Sequence, residues 1–207
     1  MRYSKDHKSE TRDRIVQTAA KRFREDGVES VGVAALMADA GLTHGGFYAH
    51  FPSKEALVAA ACAEGFSQNG ARLRKSVERH PAGERVAALA DAYLSPAHRD
   101  NPGQGCAAAA IGAEIARHPP ETRAAFNTGL QGLLRLAEDA LRADGGDPAA
   151  APQAVSAMVG ALIMARVAAD DRALSDSLLE AGRQTLRSLV PTPSAEAGEP
   201  VGRPLQP

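Results

Sequence analysis

The sequence predicts an all-α fold, with a helix-turn-helix near the N-terminus and a longer run of helices behind it. Three observations lead to that class. Apolar residues make up 44% of the 207 positions but aromatics only 4%, with no Trp. A core must therefore come from Ala, Leu, Val and Met, and Ala and Leu are among the strongest helix formers. Apolar residues recur at i, i+3, i+4 and i+7, and no useful stretch alternates with the two-residue period of a strand. Gly and Pro fall where such helices must stop, with no repeat of about 20–50 residues.

The elements follow in order. Ile15, Val16, Ala19, Ala20 and Phe23 share a helix face, and Gly27 is placed to stop that helix. A short helix is expected over 33–40, with Leu36, Met37 and Ala40 inward, broken by Gly41-Leu42-Thr43. Thr43 is placed to cap a second short helix reaching about Phe51; Pro52 ends it and Ser53 caps the next. That next helix is expected from Lys54 to about His80, closed by Pro81. Further helices are predicted over 84–98, 104–117, 120–143, 149–169 and 172–190, with breaks at Asp100–Gly103 and Gly145–Pro148. Past Val190, five prolines leave little to bury, so 191–207 is expected to be a disordered tail.

Several function classes are disfavoured at once. No run of about 18 uninterrupted apolar residues occurs, so no membrane span is expected. The charged first ten residues do not read as a secretory leader, and Cys62 and Cys106 do not suggest a disulfide framework, which together predict a cytoplasmic protein. No metal-ligand spacing, GxSxG or phosphate loop appears, so no catalytic residue, metal or cofactor is expected. The enzyme alternative is a Cys106–His118 nucleophile pair, for which no orienting third group is identifiable.

The stretch from Val33 to Lys54 is the most informative. Two short helices flank a Gly-containing turn, the pattern of a helix-turn-helix. Phe47 and Phe51, four apart, are expected to pack inward on Leu36, Met37 and Leu42. That turns His44, Gly45, Tyr48 and His50 outward, as a helix in the major groove requires. Tyr48 and Lys54 suit phosphate contacts, and Thr43 suits both cap and phosphate. Gly45 and Gly46 each cost roughly 1 kcal/mol in a helix interior; close approach of the backbone to DNA and a frayed first turn both account for them. Net charge is −1, yet residues 1–24 carry eight basic residues against three acidic ones, and Arg12 belongs to this basic set. A solvated terminus and a phosphate-binding arm are both compatible with that.

Thr11-Arg12-Asp13-Arg14-Ile15, Ala38-Asp39-Ala40-Gly41-Leu42-Thr43, Gly46-Phe47-Tyr48-Ala49-His50-Phe51 and Ser53-Lys54-Glu55-Ala56-Leu57 resemble the DNA-binding domain of the tetracycline-repressor (TetR/AcrR) family. The resemblance covers about residues 8–58. It implies an all-α homodimer of about nine helices, three of them in a DNA-binding domain over 8–54 and the rest in a ligand-binding and dimerisation domain over 55–190. It also implies repression of a double-stranded DNA operator, relieved by a small-molecule inducer. A constitutive regulator or an activator without a ligand is the alternative. No membrane partner is expected.

In the second half, Val155, Met158, Val159, Leu162, Ile163, Arg166 and Val167 follow helical spacing as one broad apolar face, and Leu174, Leu178, Gly182, Leu186 and Leu189 form another. Small Ala157, Gly160, Ala161 and Ala165 permit close helix approach. These faces suit dimerisation, since a two-fold operator requires a two-fold protein, or burial within one subunit. Candidate ligand contacts are Phe66, Tyr93, Cys106, Ile111, Phe126, Leu130 and Met158, each equally readable as plain core. Cys106, after Pro102-Gly103-Gln104-Gly105, is expected at a helix start, where free amides favour a thiolate; the other reading is a small buried hydrophobe. A Gly-Cys pair opening this helix resembles a subset of the family, some of whose members respond to oxidants or electrophiles. Cys62, among alanines, is expected to be packing.

Overall fold

The computed structural model describes residues 2–191, with side chains from His7 onward. Nine α-helices occur among the described residues, with no strand. The tail expected to be disordered lies, apart from Pro191, outside those residues.

The first three elements form a head. α1 (Arg2–Asp26) ends at Gly27, which takes φ +84°, a left-handed conformation that costs glycine nothing. α2 (Val33–Asp39) ends at a turn where Gly41 takes φ +69°. The segment His44–Ala49 is a 3₁₀-helix and not the α-helix implied by a capped, four-residue periodicity. Its amides bond three residues back, Gly46 to the Thr43 carbonyl at 3.0 Å and His50 to Phe47 at 2.9 Å. Two successive glycines of low α-propensity and a proline at 52 leave it too short to settle into α-geometry. Ile15, Ala19 and Phe23 of α1 share one buried core with Leu36, Met37, Phe47 and Phe51.

α3 (Lys54–Val77) carries the chain from head to body. Its start is capped by Ser53, whose Oγ accepts from the Ala56 amide at 3.2 Å. α3 lies along α7 (Pro120–Ala143), and α8 (Ala151–Val167) pairs with α9 (Arg172–Arg187). α4 (Arg85–Tyr93) touches α3, α7 and α9. The helix expected over 84–98 is divided in two. Ser95 caps a new start with Pro96 in the first turn, giving α5 (Pro96–Asp100); proline suits that position and would have broken a continuing helix. α6 (Ala107–Ile115) begins three residues later than expected, because Pro102–Gln104 forms its own 3₁₀ turn. Arg24, buried on α1, donates to the Gly103 carbonyl of that turn from Nε at 3.0 Å and from Nη2 at 2.5 Å, so head and body are tied at a charged node.

Residues 148–167 are long and apolar enough, by length and composition, to cross a bilayer, with mean hydropathy 1.4. The expectation that no segment would qualify rested on uninterrupted apolar runs, which Gly160 and the polar positions here disrupt. In the fold, Ala154, Val155, Met158, Leu162 and Ala165 of α8 are buried in protein. Arg166 donates to the carbonyls of His98 and Arg99. The same helix leaves Ile163, Met164 and Val167 exposed, and Leu174 of α9 is exposed as well.

Candidate nucleic-acid interface

Phe47 and Phe51 anchor the surface of the head. Their rings are buried and stacked, 5.8 Å apart with 25° between planes, in one core with Leu36 and Met37; Leu42 packs at its edge. Because that side faces inward, His44, Gly45 and Tyr48 face solvent. Tyr48 is 68% exposed, yet its ring meets Phe47 edge-on at 5.2 Å. The phenol is thus presented by a ring with restricted freedom. The Arg12 guanidinium sits 4.8 Å over the Phe51 ring, exposed on its outer side, which holds a cation next to the segment.

The remaining sequence-selected residues take varied places. Thr43 occupies the N-cap position in an extended conformation, but its hydroxyl makes no capping bond and is exposed, so it remains available to a ligand. A Cβ added at Gly45 would meet nothing within 4 Å, and one at Gly46 would make only ordinary contact with Met37 and Thr43. Neither has positive φ. The protein's own packing therefore does not demand glycine at 45. Lys54 is half-buried, and its Nζ donates to the Val28 carbonyl at 2.7 Å, bracing the α1–α2 turn with one of its three donors. His50 is half-buried, with Nδ1 enclosed and without a hydrogen-bond partner. Burial, reinforced by Lys8 and Arg12, pushes its imidazole below the ordinary value.

His50 borders a cavity of about 370 Å³ together with Lys8, Thr11, Arg14 and Leu42. Lys8 and Arg14 thereby join the candidate surface. Both belong to the basic N-terminal set, and their spacing from Thr11 and Arg12 along one helix is the signal in the sequence that joins them to this surface.

In the body, a groove of about 520 Å³ lies between α3 and α7. Phe66, Ser67, Asn69, Arg74, Thr128 and Leu133 contribute to its lining. Of the proposed ligand contacts only Phe66 lines it. Phe126 packs edge-on against Phe66 at 5.0 Å and borders a separate cavity with Ile115. Leu130 is half-buried on α7, and Tyr93, Cys106, Ile111 and Met158 are core residues away from the groove. Asn69, buried and polar beside Gly70, is the residue in the sequence that signals this groove.

Cys106 is fully buried at the N-cap of α6. Its amide donates to His98 Nε2 at 2.9 Å, while His98 Nδ1 donates to the Tyr93 carbonyl at 2.6 Å. The imidazole bonded to the Cys106 backbone is therefore His98. The His118 ring of the enzyme alternative is held instead by Glu55, Nδ1 lying 3.1 Å from the carboxylate. The Tyr93 hydroxyl is buried without a hydrogen-bond partner. Burial, with a smaller contribution from Cys106, raises that phenol well above its ordinary value. Burial also pushes the Cys62 thiol up to about 12.

Residues 15–61 match the sequence profile of bacterial regulatory proteins, tetR family. YerO of Bacillus subtilis (strain 168), an uncharacterised HTH-type transcriptional regulator, is 33% identical over 78 residues; the match spans 37% of this chain and 26% of that protein. SCO4454, a TetR-family regulator from Streptomyces coelicolor, is 27% identical, with a TM-score of 0.69 over 87% of this chain and 96% of its own. The reduced form of Escherichia coli NemR superposes with a TM-score of 0.77 over 90% of this chain and 100% of its own, at 22% identity, a likeness of fold.

Proposed function

We propose that the chain is a regulator of the tetR family, whose profile residues 15–61 match, and that it is a homodimeric repressor that binds a pseudo-palindromic operator and is released by a small molecule. The observation that carries the reading is the rigid presentation of His44, Gly45 and Tyr48 on a segment clamped by Phe47 and Phe51, flanked by exposed Lys8, Arg12 and Arg14. A narrow, glycine-bearing ridge fits the major groove, and basic residues beside it suit the phosphates that border it. The exposed apolar stripe of Ile163, Met164, Val167 and Leu174 supports a second copy docking on α8 and α9. The α3–α7 groove is of a size that holds a small ligand.

The test is selection of genomic DNA fragments by the purified protein, followed by footprinting. The expected result is a protected pseudo-palindrome whose half-sites lie about one helical turn apart or a multiple of it. Failure to enrich any sequence over bulk DNA would sink the operator reading. A transcription assay on that fragment separates repression from activation.

A second mode of release is favoured by one observation. Cys106 stands at the N-cap of α6 with its amide bonded to His98, whereas burial pushes the Cys62 thiol up to about 12. Electrophile release through Cys106 requires the α6 start to open, since the residue is fully buried. Alkylation of Cys62→Ser protein that loosens DNA, and of Cys106→Ser protein that does not, is the expected pattern.

A further inference from the structure

At the junction of head and body, four side chains from separate elements converge. Glu29 lies in the α1–α2 turn, Glu55 in the first turn of α3, Glu114 near the end of α6, and His118 between α6 and α7. We propose that Glu29, Glu114 and His118 bind a single divalent cation of the zinc class, with Glu55 as the outer carboxylate that orients the histidine.

The histidine carries the case. Its side chain is only 6% exposed. Nδ1 lies 3.1 and 3.2 Å from the two Glu55 oxygens, and Glu55 is itself fixed by the Thr122 hydroxyl at 2.8 Å. A carboxylate beside Nδ1 places the ring proton there and leaves the Nε2 lone pair free to point outward, the arrangement that prepares an imidazole to ligate metal. Nε2 has no hydrogen-bond partner among the described residues. It looks towards Glu29, whose carboxylate is 3.7 Å away, beyond hydrogen-bond distance.

The two acidic ligands complete the set. Glu114 accepts from the Val28 amide at 2.9 Å and the Glu29 amide at 2.6 Å, so its carboxylate is pinned while lone pairs remain. One donor atom each from Glu29, Glu114 and His118 lie within 4.8 Å of one another. Donors at about 2.1 Å from a tetrahedral ion sit about 3.4 Å apart. Closure therefore draws the donors together, and Glu29, which is 78% exposed, is free to rotate towards the pinned Glu114 and His118. The cavity they border measures about 140 Å³, room for an ion and its waters; Arg117 also lines it and is the competing cation. One imidazole with carboxylates, and no thiolate, matches zinc and its first-row neighbours and not monovalent copper.

Such an ion would clamp the α1–α2 turn of the head to α6 of the body. Its effect on operator affinity rests on the DNA-binding reading above; its binding does not. The experiment is calorimetric titration of the chelator-stripped full chain with zinc, in a Cys62→Ser/Cys106→Ser background that removes thiolate binding, with cobalt as the spectroscopic probe. Expected are one zinc per chain, a cobalt spectrum of nitrogen and oxygen ligation, and a raised Tm. Glu29→Gln should weaken binding at least about tenfold with no change in metal-free Tm, because Glu29 is exposed. His118→Asn should do likewise, and Glu29→Gln keeps the test decisive should His118→Asn fold poorly. No stoichiometric binding, or binding unchanged in Glu29→Gln, overturns the site. A chain that binds zinc but no operator overturns the DNA reading and leaves the site standing.

Discussion

Head and body differ most in what they leave uncovered. The head buries its apolar residues within α1, α2 and the 44–49 segment, and shows solvent an aromatic hydroxyl, an imidazole and cations. The body's uncovered large residues are aliphatic, Ile163, Met164, Val167 and Leu174, gathered on α8 and α9. A polar ridge with cations fits a polyanion, whereas an aliphatic stripe fits another aliphatic surface. One chain thus carries two dissimilar uncovered surfaces, and each proposed interface can be broken without the other.

The largest effect is expected at the stripe. Met164→Glu with Val167→Glu places charges where a second copy would desolvate them. The mass by light scattering should fall from about twice 21.5 kDa to the single-chain value. Operator affinity should fall by about a thousandfold, because each half-site is then bound alone. A double variant that stays dimeric would move the interface elsewhere and dissolve the contrast between the two surfaces.

The next effect lies inside the body. Burial, with help from the Arg72 and Arg166 guanidinium groups and against the bond to the Tyr93 carbonyl, pushes His98 down from 6.5 to about 4. The folded protein holds this ring neutral while the unfolded chain takes up a proton below pH 6.5. Stability from this group is therefore complete above about pH 6.5 and is lost as pH falls towards 4, by an amount on the order of 3 kcal/mol. Urea unfolding across that window should show the decline, and His98→Gln should flatten it. Equal slopes in both proteins would show that other groups govern the acid side.

Smaller effects separate the roles within the head. Lys54→Ala should cost about 1 kcal/mol of stability through the lost bond to Val28 and reduce the salt dependence of operator binding by about one phosphate contact per subunit. Tyr48→Phe should leave Tm unchanged and weaken binding to every sequence by about tenfold. His44→Ala should instead change base preference at one position of each half-site. If Tyr48→Phe and His44→Ala both leave affinity and preference intact, the ridge does not face DNA.

The legibility of the sequence follows the same division. The head was readable because its determinants are local: Phe47 and Phe51 lie one turn apart, and Gly27, Gly41, Pro52 and Ser53 each punctuate a neighbouring helix. Its 3₁₀ geometry was not, since four-residue periodicity does not distinguish three-back from four-back bonding over six residues. Ser95-Pro96 was a visible start signal, overridden by the apolar run from Val86 to Leu94. The body's groove joins Asn69 and Thr128 across α3 and α7, and no pattern within either helix encodes that meeting. The Glu29, Glu55, Glu114 and His118 cluster is the extreme case: only the four-residue spacing of 114 and 118 was available, and the other two arrive through tertiary packing.

The most direct test of the account is Gly45→Leu, measured for operator affinity and Tm together. A Cβ at 45 would meet nothing within 4 Å beyond its chain neighbours, and the position is exposed, so a leucine there has solvent to extend into. Entry of the 44–49 segment into the major groove predicts an affinity loss of about a hundredfold with Tm unchanged or slightly raised. Full affinity in the leucine variant, with the fold intact, would contradict the placement of this segment against DNA.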